Sequence, residues 1–158
     1  MNTLQLDRAL SRNPVTKKSF LGVFPSDQLP IYISKFPCCF IVNTESSDSE
    51  GLHWLAIYIP SSRKMEFFDS YGNPPSFFKG PIADFAVQFS KMDYNPMTLQ
   101  SNTTAVCGQY CIYFLFSRCR GIPLKTIISS FVTNHLSNDI RVYNFVSKYF
   151  RVHANFYQ

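Results

Sequence analysis

The stretch from Cys107 to Cys119, CGQYCIYFLFSRC, limits what this chain can fold into more than any other segment. Its apolar residues run nearly all round a helix instead of along one stripe, and such a helix must be covered on every side. Gly121 and Pro123 mark its end. The 158 residues are enough to supply that cover within one domain, expected to span 1–158. Sixteen Phe, nine Tyr and one Trp, with only 16% charged residues against about 25% in ordinary domains, exclude a disordered chain. No apolar run reaches about 18 residues, so no membrane span is expected. The opening segment MNTLQLDRALSRNP has no apolar signal core, so secretion is not expected either.

The rest of the chain reads as the cover for that helix. Residues 3–12 predict a short helix with Thr3 as N-cap and Pro14 beyond its end. Leu21–Pro30 is rich in turn residues and predicts an ordered loop. Cys38–Val42 predicts a buried strand, followed by a polar surface turn up to Gly51. His53–Ile59 predicts a second strand. After a turn at Ser61–Lys64, Met65–Phe68 predicts a third, antiparallel to the second. SYGNPPS is a break, and apolar residues at 82, 85, 86 and 89 predict a helix over Ile82–Met92. Met97–Gln100 reads as short and extended, and further helices are expected at Leu124–Val132 and Asn138–Phe150. The class implied is α+β, a small, mainly antiparallel sheet packed on a central buried helix.

Fifteen Lys and Arg against ten Asp and Glu give a net charge of +5. That field favours anionic partners such as nucleic acid, or serves solubility alone, and the basic residues form no dense tract. The five cysteines, Cys38, Cys39, Cys107, Cys111 and Cys119, are odd in number and point to free thiols in a reducing compartment. Their spacing lacks the paired clusters of a zinc site, so no metal is expected.

One thiol stands apart. Cys107 follows the polar loop SNTTAV and opens the apolar helix, where free N–H groups and the helix dipole favour a thiolate. Gly108 beside it would let a substrate backbone approach, and the local N–H groups could hold an oxyanion. A nucleophilic thiol needs a base, and His53, at the end of a strand, is better placed than His135 or His153, both expected on the surface. Asp69 closes the neighbouring strand, so an antiparallel pairing sets it beside His53 to fix the imidazole, while also opening the turn DSYG. Gln100, seven residues before Cys107, is a candidate side-chain donor to the oxyanion.

The ordered set GLHW, FFDSYG, LQ and AVCGQYC resembles the adenain family, the adenovirus-type cysteine endopeptidases, and the related proteases of Maverick/polinton elements and virophages. FLGVFPSDQLP and CCFIVNTESSDSEGLHW extend the resemblance, which runs from about Phe20 to Cys119. It implies His53 as base, Asp69 as carboxylate, Gln100 as oxyanion donor and Cys107 as nucleophile, with Trp54 packed beside the site. It also implies a cysteine-protease fold shared with ubiquitin-like-protein proteases, and cleavage of viral precursor proteins after small residues during virion maturation. The expected setting is intracellular: the host nucleus or virus factory, and the virion interior. The enzyme is expected to be a monomer needing no cofactor for its chemistry, with DNA or a viral peptide as candidate activators. Asp93–Leu99 holds no cysteine, which argues against a disulfide-linked peptide and leaves non-covalent docking open. Two other readings stand beside it: an isopeptidase for ubiquitin-like modifiers that uses the same four residues, and a non-enzymatic basic module that keeps the protease fold and binds nucleic acid or capsid.

Overall fold

Residues 1–49 and 51–157 are described by a computed structural model. The polar turn expected over 43–51 includes Glu50, which lies outside the described residues. The chain runs α1 (Thr3–Arg12), β1 (Phe20–Pro25), β2 (Cys38–Asn43), β3 (Trp54–Ser61), β4 (Lys64–Phe68), α2 (Gly80–Ala86), β5 (Lys91–Tyr94), α3 (Cys107–Cys119), α4 (Leu124–Ser129) and α5 (His135–Phe150). The strands form one sheet in the order β1-β2-β3-β4-β5. The three middle strands are antiparallel, as the sequence suggests, but both outer strands pair in parallel. The class is α+β and the sheet is mixed.

The outer strands are what local signals hide. β1 occupies the segment expected to be a loop, because Gly22 and Pro25 read as turn residues. At a sheet edge both are tolerated, and the pairing with β2 is irregular between Phe20 and Val23, around Gly22. β5 takes the end of the helix expected over 82–92, which stops at Ala86. Lys91, Met92 and Asp93 are exposed, and pairing with β4 holds the strand: Lys64 Nζ meets Asp93 at 2.8 Å across the two strands. Tertiary pairing overrides a weak helical period here. The other boundaries shift slightly. Asn2, not Thr3, caps α1 through a reciprocal pair with Gln5, α4 ends at Ser129, and α5 starts at His135.

Both faces of the sheet are covered, which explains why CCFIV and WLAIYI show no polar alternation. Cys39, Ile41, Trp54, Ala56 and Tyr58 face a cluster built from α1, α3 and α5. Cys38, Phe40, Val42, Leu55, Ile57 and Ile59 face a second cluster that includes Ile82 and Phe85 of α2. α3 lies in the first cluster with Tyr110, Ile112, Phe114 and Leu115 fully buried, and Phe114 stacks on Phe68 at 4.7 Å. Arg118, near its far end, forks onto Glu66 at 2.6 and 3.1 Å. No helix among the described residues is long and apolar enough to cross a membrane.

The β3–β4 hairpin sets the next level. Ala56 pairs with Phe68, so the residue before β3 and the residue after β4 meet at one end of the sheet. The chain then turns at 69–72, where the Gly72 N–H donates to the Asp69 carbonyl at 3.0 Å. Gly72 has φ +80°, and a Cβ there would lie 2.6 Å from the Met97 carbonyl carbon. Gly121 has nearly the same φ, +82°, with open space around it. Gly121→Ala should therefore lower unfolding stability by about 1 kcal/mol, the left-handed cost alone. Gly72→Ala should lose at least about 2 kcal/mol, since backbone must also move. Equal losses in urea denaturation would refute the close approach as the reason for Gly72.

Candidate active site

Three elements deliver the expected residues to one place. His53 immediately precedes β3, Asp69 immediately follows β4, and Cys107 is the first residue of α3, which packs against β3. His53 Nε2 meets Asp69 Oδ1 at 2.6 Å, which leaves Nδ1 for the Cys107 thiol, close enough for charge and hydrogen bonding to shift both groups. Thiol, imidazole and carboxylate thus form a continuous line. The Trp54 backbone N–H also reaches the Cys107 sulfur. Tyr71 leans on the imidazole, with ring centroids 5.2 Å apart.

Asp69 is fully buried and saturated. Besides His53, Oδ1 accepts the Tyr71 N–H at 3.1 Å, while Oδ2 accepts the Asn73 N–H at 3.1 Å and its Nδ2 at 2.8 Å. Asn95 fastens the turn from behind, donating from Nδ2 to the carbonyls of Asp69 (2.7 Å) and Met97 (2.9 Å). The sequence places Asn73 in the break SYGNPPS and singles out neither it nor Asn95. The signal was partial: an Asp that opens a turn accepts the backbone N–H two residues on, here that of Tyr71.

Gln100 is not bonded to the triad. Its Oε1 accepts the Ser70 hydroxyl at 2.8 Å and its Nε2 donates to the Thr104 carbonyl at 2.9 Å. It is thereby fixed between the residue after Asp69 and the segment that leads into Cys107. Asp139 of α5 clamps that segment, accepting the Tyr110 hydroxyl (2.8 Å), the Thr104 hydroxyl (2.8 Å) and the Ser101 N–H (3.1 Å). Trp54 is buried beside the site, its Nε1 donating to the Met1 carbonyl at 3.1 Å. A Cβ at Gly108 would stand 3.2 Å from Leu6 Cδ2 and from Met1 Cβ and Sδ, so the N-terminal residues pack closely on that side of it.

Electrostatics follow from this geometry. Burial alone would lower the His53 pKa, but the Asp69 hydrogen bond and the Cys107 contacts outweigh it and raise it to about 9. Burial would raise the Cys107 thiol, yet the His53 hydrogen bond and charge carry it below its ordinary value. For Asp69 burial opposes ionisation, and the bond and charge of His53 prevail, so its pKa is lowered. The favoured state is an imidazolium–thiolate pair beside an ionised Asp69. No side chain caps α3 at Val106, so the first-turn N–H groups of that helix remain turned toward the thiol end. The other thiols differ: burial pushes Cys38 up to about 11 and Cys111 well above the ordinary range. Cys119 is the one not foreseen. Its sulfur lies 3.9 Å from that of Cys39; their hydrogen bond lowers Cys119, against burial, and raises Cys39. Among the described residues no group of three His, Cys, Asp or Glu is arranged to hold a metal.

No protein-family model matches the chain. Individual relatives do. The protease of Porcine adenovirus A serotype 3 is 31% identical across 74% of this chain and 65% of its own length. The protease of Snake adenovirus serotype 1 is 36% identical across 63% of this chain and 56% of its own. The chain is related in sequence to the adenovirus proteases. A more distant relative is an African swine fever virus protein named SUMO-1 cysteine protease S273R, 26% identical across 71% of this chain and 43% of its own length. The crystal structure of the ASFV pS273R protease superposes with a TM-score of 0.65 at 20% identity, covering 97% of this chain and 68% of that one, and shares the fold. The chain spans less than two thirds of the length of the curated relatives it matches.

The charge pair sets two pH dependences. Because the folded His53 pKa lies above its ordinary 6.5, its stabilisation is full below 6.5 and is lost as pH rises through about 9. Asp69 is depressed, so its contribution is present above 3.8 and is lost as pH falls through its lowered value. Iodoacetamide at pH 6 should modify Cys107 at least about tenfold faster than Cys38 or Cys111, with Cys119 as the other reactive thiol. His53→Ala should abolish that advantage at Cys107 and leave Cys119 unchanged. Peptide mapping by mass spectrometry reads both, and a fast Cys107 in His53→Ala would refute the pair.

Proposed function

We propose that the chain is a viral-type cysteine endopeptidase acting through Cys107, His53, Asp69 and Gln100. The observation that carries this is the part-buried Cys107–His53–Asp69 line at the end of the β3–β4 hairpin. Kinship to named viral proteases supports it. In this reaction the Cys107 thiolate attacks the scissile carbonyl. The tetrahedral oxyanion is received by the Cys107 backbone N–H and by Gln100 Nε2. His53, held by Asp69, gives its proton to the leaving amine, so a peptide fragment departs and an acyl-enzyme remains. Water, with His53 now as base, releases the acid and restores the thiol.

The proposed substrates are viral precursor proteins cut after small residues. DNA and a docked peptide are proposed as partners. The net charge of +5 supports the first. The second is supported by β5, an outer strand beside a groove of about 850 Å³ lined by Met92, Tyr94, Met97, Leu124 and Ile128. An extended segment could add to such an edge. An isopeptidase reading draws on the printed name of the African swine fever virus relative, so modifier conjugates belong in the same assay.

The test is digestion of capsid-precursor peptides with Gly or Ala before the scissile bond, beside SUMO and ubiquitin conjugates, with and without DNA. Cleavage of the precursor peptides is expected, falling at least about a thousandfold in Cys107→Ala. Cleavage confined to isopeptide bonds would favour the second reading. Cleavage untouched by Cys107→Ala would remove both.

A further inference from the structure

Ser70 lies directly after Asp69 and is almost wholly buried, yet no role in acyl transfer attaches to it in the triad scheme. It meets Gln100 at two points and Leu99 at one. Its carbonyl accepts the N–H groups of Leu99 (2.8 Å) and Gln100 (3.2 Å), and its hydroxyl donates to Gln100 Oε1 at 2.8 Å. A primary amide can rotate by 180° about its last side-chain bond, exchanging its carbonyl and NH₂ ends. At Gln100 the Thr104 carbonyl can only accept, so it selects the NH₂ end. The Ser70 hydroxyl takes the other end, and rotation would set two oxygens against each other at Thr104. Nε2 carries two hydrogens. One goes to Thr104, and among the described residues no second acceptor is bonded to Nε2.

We propose that Ser70 is a positioning residue for acyl transfer: its hydroxyl locks the Gln100 amide so that the second Nε2 hydrogen meets the oxyanion formed at Cys107. This rests on the cysteine-protease reading. It adds that the donor is oriented before substrate arrives, through a side chain that touches neither substrate nor the Cys107–His53 pair. Preorganised donors owe their effect to being fixed where charge develops, so a loosened amide costs rate without altering the nucleophile. The Asp69–Ser70 dipeptide then serves both halves of the site: Asp69 orients the base, and Ser70 orients the oxyanion donor.

The experiment compares two reactions of the same thiol in the full chain. Alkylation by iodoacetamide displaces iodide at a saturated carbon and forms no oxyanion. Acylation by p-nitrophenyl acetate joins the Cys107 sulfur to the carbonyl carbon, moves the π pair onto oxygen, and then expels p-nitrophenolate with its electron pair. Ser70→Ala should leave Cys107 alkylation within about twofold of wild type from pH 5 to 9, and slow acylation roughly ten- to a hundredfold, mainly in kcat. Ser70→Thr, which keeps the hydroxyl, should recover most of the rate. In a Gln100→Ala background, Ser70→Ala should add nothing further. Should Ser70→Ala fail to fold, Ser70→Cys, close in size and a weaker donor, gives the same comparison by peptide mapping. Wild-type acylation in Ser70→Ala, or additive losses with Gln100→Ala, would overturn the proposal. Parallel loss of alkylation and acylation would also overturn it, as a general collapse of the site. A wild-type chain whose Cys107 alkylates slowly and does not acylate would instead refute the protease reading, and Ser70's role with it.

Discussion

Covering Cys107–Cys119 on every side leaves the chain few choices. A helix with Tyr110, Ile112, Phe114 and Leu115 at near-zero exposure cannot lie on a surface, so the sheet must present one whole face to it while α1 and α5 close the rest. The burial of four such side chains contributes on the order of 6–12 kcal/mol of transfer free energy, an upper bound set by the extended-chain reference. It also fixes where the helix starts. With its body clamped, the first turn is held at the end of β3, and the thiol there has no freedom to wander from the imidazole. Core packing and nucleophile placement are therefore one constraint.

The middle of the molecule was legible in the sequence because its signals are local and strong. Continuous apolar runs with Gly and Pro boundaries gave β2, β3 and β4, and a short turn between two strands implied that His53 and Asp69 would be neighbours. The outer strands were not legible. β1 carries Gly22 and Pro25, which mean turn almost everywhere except a sheet edge, and β5 is a short, mostly exposed tetrapeptide whose only claim to strand geometry is its partner β4. Both depend on contacts remote in sequence, which no local window contains.

The site shows the same division. Cys107, His53 and Asp69 could be named from residue type and place, and Gln100 chiefly from resemblance. The residues that hold them, Ser70, Asn73, Asn95 and Asp139, are ordinary polar letters whose importance lies in burial and in partners up to 38 residues away. Gly108 shows the same dependence: the space beside it is taken by Met1 and Leu6, more than a hundred residues earlier. Electrostatics were only half visible, since a helix N-terminus suggests a lowered Cys107 thiol but nothing local suggests that Cys119 is lowered too.

The saturated carboxylate of Asp69 has a consequence for how such a site can vary. Both of its oxygens are met by donors rooted in the next four residues, Tyr71 and Asn73, as well as by His53. Lengthening the acid to Glu would carry those oxygens forward by about one carbon–carbon bond, some 1.5 Å, which is half a hydrogen-bond length. The imidazole could follow only by leaving the thiol, and the turn only by releasing Gly72 from its contact with Met97. Acid length and turn path are thus a single variable. A chain that reads Glu at this position must re-route the loop that follows, so the two should differ together wherever this arrangement recurs.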